Sequence, residues 1–120
     1  MQSPVQITFR NMEPSPSVEA HIRERADALE RYFDRIMACR VVAEETSRRH
    51  RKGKHYHVRV DLTVPGREIV VKRDPPEQHA HEDILVAVRD AFDAARRQLE
   101  DYARTARGDT KHHDDRSQAG

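Results

Sequence analysis

Apolar and polar side chains alternate from Val5 to Arg10, so Val5, Ile7 and Phe9 fall on one face with a period of two. That period predicts a half-buried strand. Residues 11–16 read as loop, with Pro14 and Pro16 as breakers. The period then lengthens: Val18, Ile22, Ala26, Leu29, Phe33 and Ile36 recur at steps of three and four. This is one buried stripe on a helix over 17–36, about five turns long, with Ser17 as its cap and Glu19 in its first turn. Its outer face carries Glu19–Arg23 and Asp27–Arg31 at i,i+4, each pair contributing a few tenths of a kcal/mol.

A second strand follows, with Cys39, Val41 and Ala43 alternating against Arg40, Val42 and Glu44. The third is the clearest element. Tyr56, Val58, Val60, Leu62 and Val64 face one way, and His57, Arg59, Asp61 and Thr63 face the other. Pro65-Gly66 is a turn signal, with Pro fixing φ at the first central position and Gly accepting a positive φ at the second. An even loop there keeps the strand phase and pairs Leu62 with Ile69 and Val60 with Val71. Asp74-Pro75-Pro76 ends the fourth strand. A last helix begins near Glu82 or Asp83, buries Ile84, Val88, Phe92, Ala95, Leu99 and Tyr102, and stops at Gly108. The fold class is α+β: a two-layer β-α-β-β-β-α arrangement, a four-stranded sheet with both helices packed on one face. The first strand, helix and second strand are expected to form a right-handed crossover, and the other sheet face is open to water. Residues 1–107 make the domain, and residues 108–120 a disordered polar tail.

Composition sharpens this picture. The 120 residues fit one domain. Leu, Ile, Val and Phe number 23, a share low enough for a disordered chain, but 22 Lys/Arg nearly balance 21 Asp/Glu and self-repulsion is small. No apolar run approaches the roughly 20 residues of a membrane span, and the N-terminus lacks a signal-peptide apolar region. The single cysteine, Cys39, cannot form an internal disulfide and sits in the inward phase of its strand. A cytosolic compartment is expected. With no Trp and 5% aromatic residues, a broad stacking surface for single-stranded bases is not expected.

Charge distribution changes the picture most. Residues 48–59 hold six Lys/Arg and no acid, which leaves 16 basic against 21 acidic groups elsewhere, a net of −5. The near-neutral chain is polarised, with its positive pole at the connection between the second and third strands. Phosphate backbones reward such a concentration through counterion release. A solvated loop that blunts sheet edges is the plainer alternative. The histidines come as His55-x-His57, His79-x-His81 and His112-His113. Four imidazoles from two such pairs could hold zinc, but no Cys or carboxylate stands at a zinc spacing and neighbouring Arg and Lys oppose a cation, so no metal or other cofactor is expected. Gly-rich phosphate loops, nucleophile motifs and helical His-Glu-x-x-His are all missing, so no enzyme activity and no small-molecule substrate are expected.

Two stretches carry a family resemblance: Leu29-Glu30-Arg31-Tyr32-Phe33-Asp34-Arg35-Ile36, and Asp83-Ile84 through Ala91-Phe92-Asp93 to Arg97-Gln98-Leu99. With the element order, they make residues 5 to about 107 resemble the ribosome hibernation promoting factor and ribosome-associated inhibitor family, also called ribosomal subunit interface proteins. The resemblance implies a protein that binds the small ribosomal subunit. It would sit on ribosomal RNA in the channel used by mRNA and the A- and P-site tRNAs, and hold idle ribosomes inactive. It implies RNA contacts along both helices, at Arg25 and Arg97, with Arg104 at the altered end of the last helix. Ala28 and Ala94 stand where the family has basic sites, and Glu100 and Asp101 alter its lysine-rich helix end. Both helices are near neutral, so the charge count adds Arg48, Arg49, Arg51, Lys52 and Lys54 as candidate RNA contacts. Long family members carry a C-terminal dimerisation domain, so at this length a monomer is expected. A general structured-RNA module and a protein-interaction domain using the basic loop remain open alternatives.

Overall fold

The computed structural model describes residues 4–46, 55–73 and 83–119, with the side chains of Arg73 and of the last helix beyond Ala106 outside the described set. The basic segment from Arg48 to Lys54 and both His79 and His81 lie outside the described residues. The elements are β1 (Gln6–Arg10), α1 (Pro16–Tyr32), β2 (Ala38–Thr46), β3 (His55–Val64), β4 (Arg67–Arg73) and α2 (Ile84–Ala119). The order is the β-α-β-β-β-α expected from periodicity.

The strands form one sheet in the order β1-β2-β3-β4, with β1 parallel to β2 and the other pairs antiparallel. The β3–β4 register places Leu62 opposite Ile69 and Val60 opposite Val71, as the strand phase requires. Pro65 and Gly66 alone close this hairpin, since Val64 pairs with Arg67. Gly66 has φ 79°, the value a type II turn demands at its second central residue.

The inward phases of the strands and the stripes of both helices meet in one core. Ile22, Val41, Val60, Leu62, Val88 and Leu99 are fully buried there. Leu29, Val58, Ile69, Val71 and Phe92 are buried with them, and Phe33 packs against the core from its margin. Cys39 is a core side chain. Burial pushes its thiol from 9.0 up to about 12; the Asp61 carboxylate adds to the rise and Arg40 opposes it.

Three boundaries differ from the periodicity. α1 starts at Pro16, not after it: Ser15 is the cap, its hydroxyl accepting from the Val18 N–H at 3.3 Å and its carbonyl from the Glu19 N–H at 2.9 Å. Pro is tolerated at the first helical position because the N–H it lacks has no intrahelical partner there. α1 also ends at Tyr32, four residues early. Phe33 is extended, with φ −140° and ψ 104°, and its N–H donates to the Leu29 carbonyl at 2.8 Å. Ile36 is still buried, so its place in the apolar stripe is filled from a link and not from the helix. α2 opens at Asp83, whose carboxylate accepts from the Leu85 N–H at 2.9 Å. Its backbone then continues through Gly108, where a stop is expected; a helix-interior glycine costs about 1 kcal/mol against alanine but leaves the hydrogen-bond ladder intact.

No helix among the described residues is long and apolar enough to cross a membrane.

Candidate nucleic-acid interface

Arg25 lies one face along from the α1 core stripe, and its side chain reaches a groove between the two helices. Ala28, Leu29 and Tyr32 line that groove from α1, and Phe92, Asp93 and Arg96 from α2. The groove encloses about 240 Å³. Tyr32 is 45% exposed, and the Arg96 guanidinium sits 5.1 Å from the centre of its ring. Arg96 also pairs with Glu100 at 3.6 Å. An exposed aromatic ring under one guanidinium, in a groove that a second arginine also lines, can take a stacked base and its phosphate.

The structure therefore does not gather the two helix arginines named from the sequence. Arg97 is exposed on α2 but does not line the groove; its neighbour Arg96 does. Arg104, seven residues on and so on the same side of α2 as Arg97, is paired with Asp101. Tyr32 and Arg96 are the residues sequence reasoning missed. A signal existed for Tyr32, which stands seven residues, about two turns, after Arg25. The two alanines that depart from the family pattern are unlike each other: Ala28 lines the groove, while Ala94 belongs to the buried core.

The second surface is the open face of the sheet. Its registers stack into cross-strand rows: Gln6–Arg40–Asp61–Val70, then Thr8–Val42–Arg59–Lys72, then Arg10–Glu44–His57. Because sheets twist, this face is a shallow groove of about 600 Å³. Asp61 holds Arg59 at 2.9 Å and Arg40 at 3.8 Å, and Arg40 also reaches Glu68 at 3.1 Å. The Asp61 hydrogen bond, and then its charge, raise the Arg59 pKa further above its ordinary value, so this guanidinium stays a cation. Glu44 accepts from the Asn11 side chain at 3.2 Å. Asn11 itself has φ 57°, a left-handed conformation that asparagine tolerates better than most residues.

His55 departs from expectation. Sequence alternation groups it with His57 on a wet face, yet His55 is buried at 5% exposure, and among the described residues neither ring nitrogen has a partner. Among the described residues, no three His, Cys, Asp or Glu side chains converge as a metal site.

The family model described as sigma 54 modulation protein / S30EA ribosomal protein matches residues 5–107. A protein of Deinococcus radiodurans named ribosome hibernation promotion factor is 31% identical over 97 residues, which is 81% of this chain and 47% of that protein. The chain thus spans about half the length of that curated relative. Among solved structures, a ribosomal subunit interface protein from Coxiella burnetii superposes with a TM-score of 0.66 at 15% identity, covering 82% of this chain and 96% of that one. The N-terminal domain of Thermus thermophilus Protein Y gives 0.64 at 18% identity, covering 81% and 94%. These two establish the shared fold. The matched segment runs from the first strand through the described side chains of the last helix, and the chain belongs to the sigma 54 modulation protein / S30EA ribosomal protein family.

Proposed function

We propose that this chain is a non-enzymatic ribosome-binding factor. It occupies the small subunit on ribosomal RNA near the decoding centre, in the mRNA channel and the A- and P-site tRNA positions, and so holds idle ribosomes inactive. The observation that carries the reading is the match of residues 5–107, all six elements included, to a family described as ribosomal. The curated relative's name, a ribosome hibernation promotion factor, points the same way. The charge arrangement is compatible with it, since the Arg25–Tyr32–Arg96 groove and the basic segment between β2 and β3 both suit RNA. On this reading the protein acts in the cytoplasm as a monomer, through residues 1–107, under conditions that idle ribosomes.

The test is co-sedimentation of the protein with purified small subunits in the presence of excess unrelated structured RNA. Retention on the subunits supports the reading. Displacement by the competitor RNA turns the protein into a general structured-RNA module. In extracts of starved cells, the protein should run with ribosomal particles in a gradient.

A further inference from the structure

The open sheet face is electrically divided along the strands. In the half that ends at Thr46 and His55, where β2 leaves the sheet and β3 enters it, the two rows hold Arg59 and Lys72, then Arg10 and Glu44. That is three cations against one acid. In the other half, Arg40 faces Asp61 and Glu68, one cation against two acids. The acids are engaged within the sheet: Asp61 and Glu68 by arginines, and Glu44 by Asn11. Arg10 and Lys72 are exposed and carry no ion pair among the described residues. Among the described residues the face offers Val42 and Val70 but no Trp or Tyr, the aromatic anchors of a protein partner's hot spot. The eight residues joining Thr46 to His55 begin and end at this same cationic half and add five Lys/Arg to the sequence there.

We propose that the half of the open sheet face bearing Arg10, Arg59 and Lys72 is a phosphate-binding surface for RNA, on the opposite side of the sheet from the helices. The inference rests on the reading above that this chain binds ribosomal RNA, and it adds a second face to that contact. Arg59 is aimed by Asp61, while Arg10 and Lys72, exposed and without an ion pair among the described residues, can meet phosphate oxygens across the groove. A chain engulfed by RNA would then be clamped from both layers, the helix groove on one side and the sheet on the other.

The experiment is a titration of isotope-labelled protein with a short RNA hairpin at low salt, following backbone amides. Shifts at Thr8, Val42, Arg59 and Lys72 are expected. Shifts confined to α1 and α2, or none at all, overturn the proposal. So does equal displacement of the hairpin by polyglutamate of matched charge, since such a patch prefers no RNA. An Arg10→Ser, Lys72→Ser double variant removes two exposed side chains outside the core. It should flatten the slope of log K against log salt by about 1.4 to 1.8, at 0.7 to 0.9 per phosphate; an unchanged slope overturns the surface. The same variant in small-subunit sedimentation separates the two ideas. Wild-type binding with an unchanged variant slope removes the sheet surface and leaves the ribosome reading standing. Hairpin shifts on the sheet without subunit binding do the reverse.

Discussion

The Tyr102 hydroxyl donates a 2.6 Å hydrogen bond to the carbonyl of Pro65, tying α2 to the β3–β4 turn 37 residues earlier. The same ring meets Phe33 edge-on at 5.7 Å between centroids and lies under the Arg67 guanidinium at 5.6 Å. One aromatic side chain thus fastens the end of α1, the hairpin and α2 together. Tyr102→Phe, which removes only the hydroxyl, should cost about 0.5–1.5 kcal/mol in denaturant unfolding. Tyr102→Ala should cost more, because the edge contact with Phe33 goes as well.

Leu62 and Phe92 come from the two layers, one from β3 and one from α2, and both are buried. Truncating either to Ala should cost roughly 2–5 kcal/mol in chemical denaturation. A loss below about 0.5 kcal/mol at both would mean that sheet and helix do not share a core.

Gly66 has φ 79°, and a Cβ added there would meet nothing within 4 Å. Gly66→Ala is therefore strained by its backbone alone and should destabilise by about 1–2 kcal/mol. Gly66→Asn should recover part of the loss, since asparagine accepts the left-handed region. Equal losses for the two would show that the turn has rearranged.

Cys39 is buried with its thiol pushed up to about 12, so it should resist disulfide reagents at pH 8 and react only when denaturant opens the fold. Because the folded value lies above the ordinary 9.0, the neutral thiol's contribution to stability is fully present below pH 9. It declines as pH rises from there towards about 12. Cys39→Ala should flatten that alkaline decline, as read by unfolding midpoints between pH 8 and 11.

On small subunits, Arg25→Ala and Arg96→Ala should be non-additive, because both side chains line one groove. Arg25→Ala and Arg97→Ala should add to within about 0.5 kcal/mol. Replacing Arg48, Arg49, Arg51 and Lys52 by Ser should flatten the salt slope of binding by at least about two, at 0.7 to 0.9 per phosphate. The Arg25→Ala, Arg97→Ala pair should change it by about two or less. An unchanged slope in the four-residue variant would return the site to the helices.

Strand content and phase were legible because a strand's period of two is local. Val58, Val60 and Leu62 name their own face, and Pro65-Gly66 sets the register that puts Ile69 and Val71 opposite them. The inward place of Cys39 followed from the same alternation. The family, too, was legible in the helix-end and last-helix stretches. The ends of α1 were not. Ser15 and Ser17 are both capping residues, and the choice turns on whether Pro16 precedes the helix or opens it. At the other end, Phe33 and Ile36 fit the helical period, but the chain leaves the helix at Tyr32 to enter β2, and burial beyond it comes from the link.

The sequence by itself determined the order of elements, the identity of the core side chains and the polarity of charge along the chain. All of these depend on near neighbours or on composition. Tertiary structure decided which cations share a surface. Arg96 enters the groove with Arg25 while Arg97 does not, because the rotation of α2 follows from which of its side chains are buried in the shared core, Phe92 and Leu99 among them. Arg10, Arg59 and Lys72 come from three strands and become one surface only through cross-strand register. That register is fixed by long-range pairing and burial of the opposite face, which no local window of sequence contains.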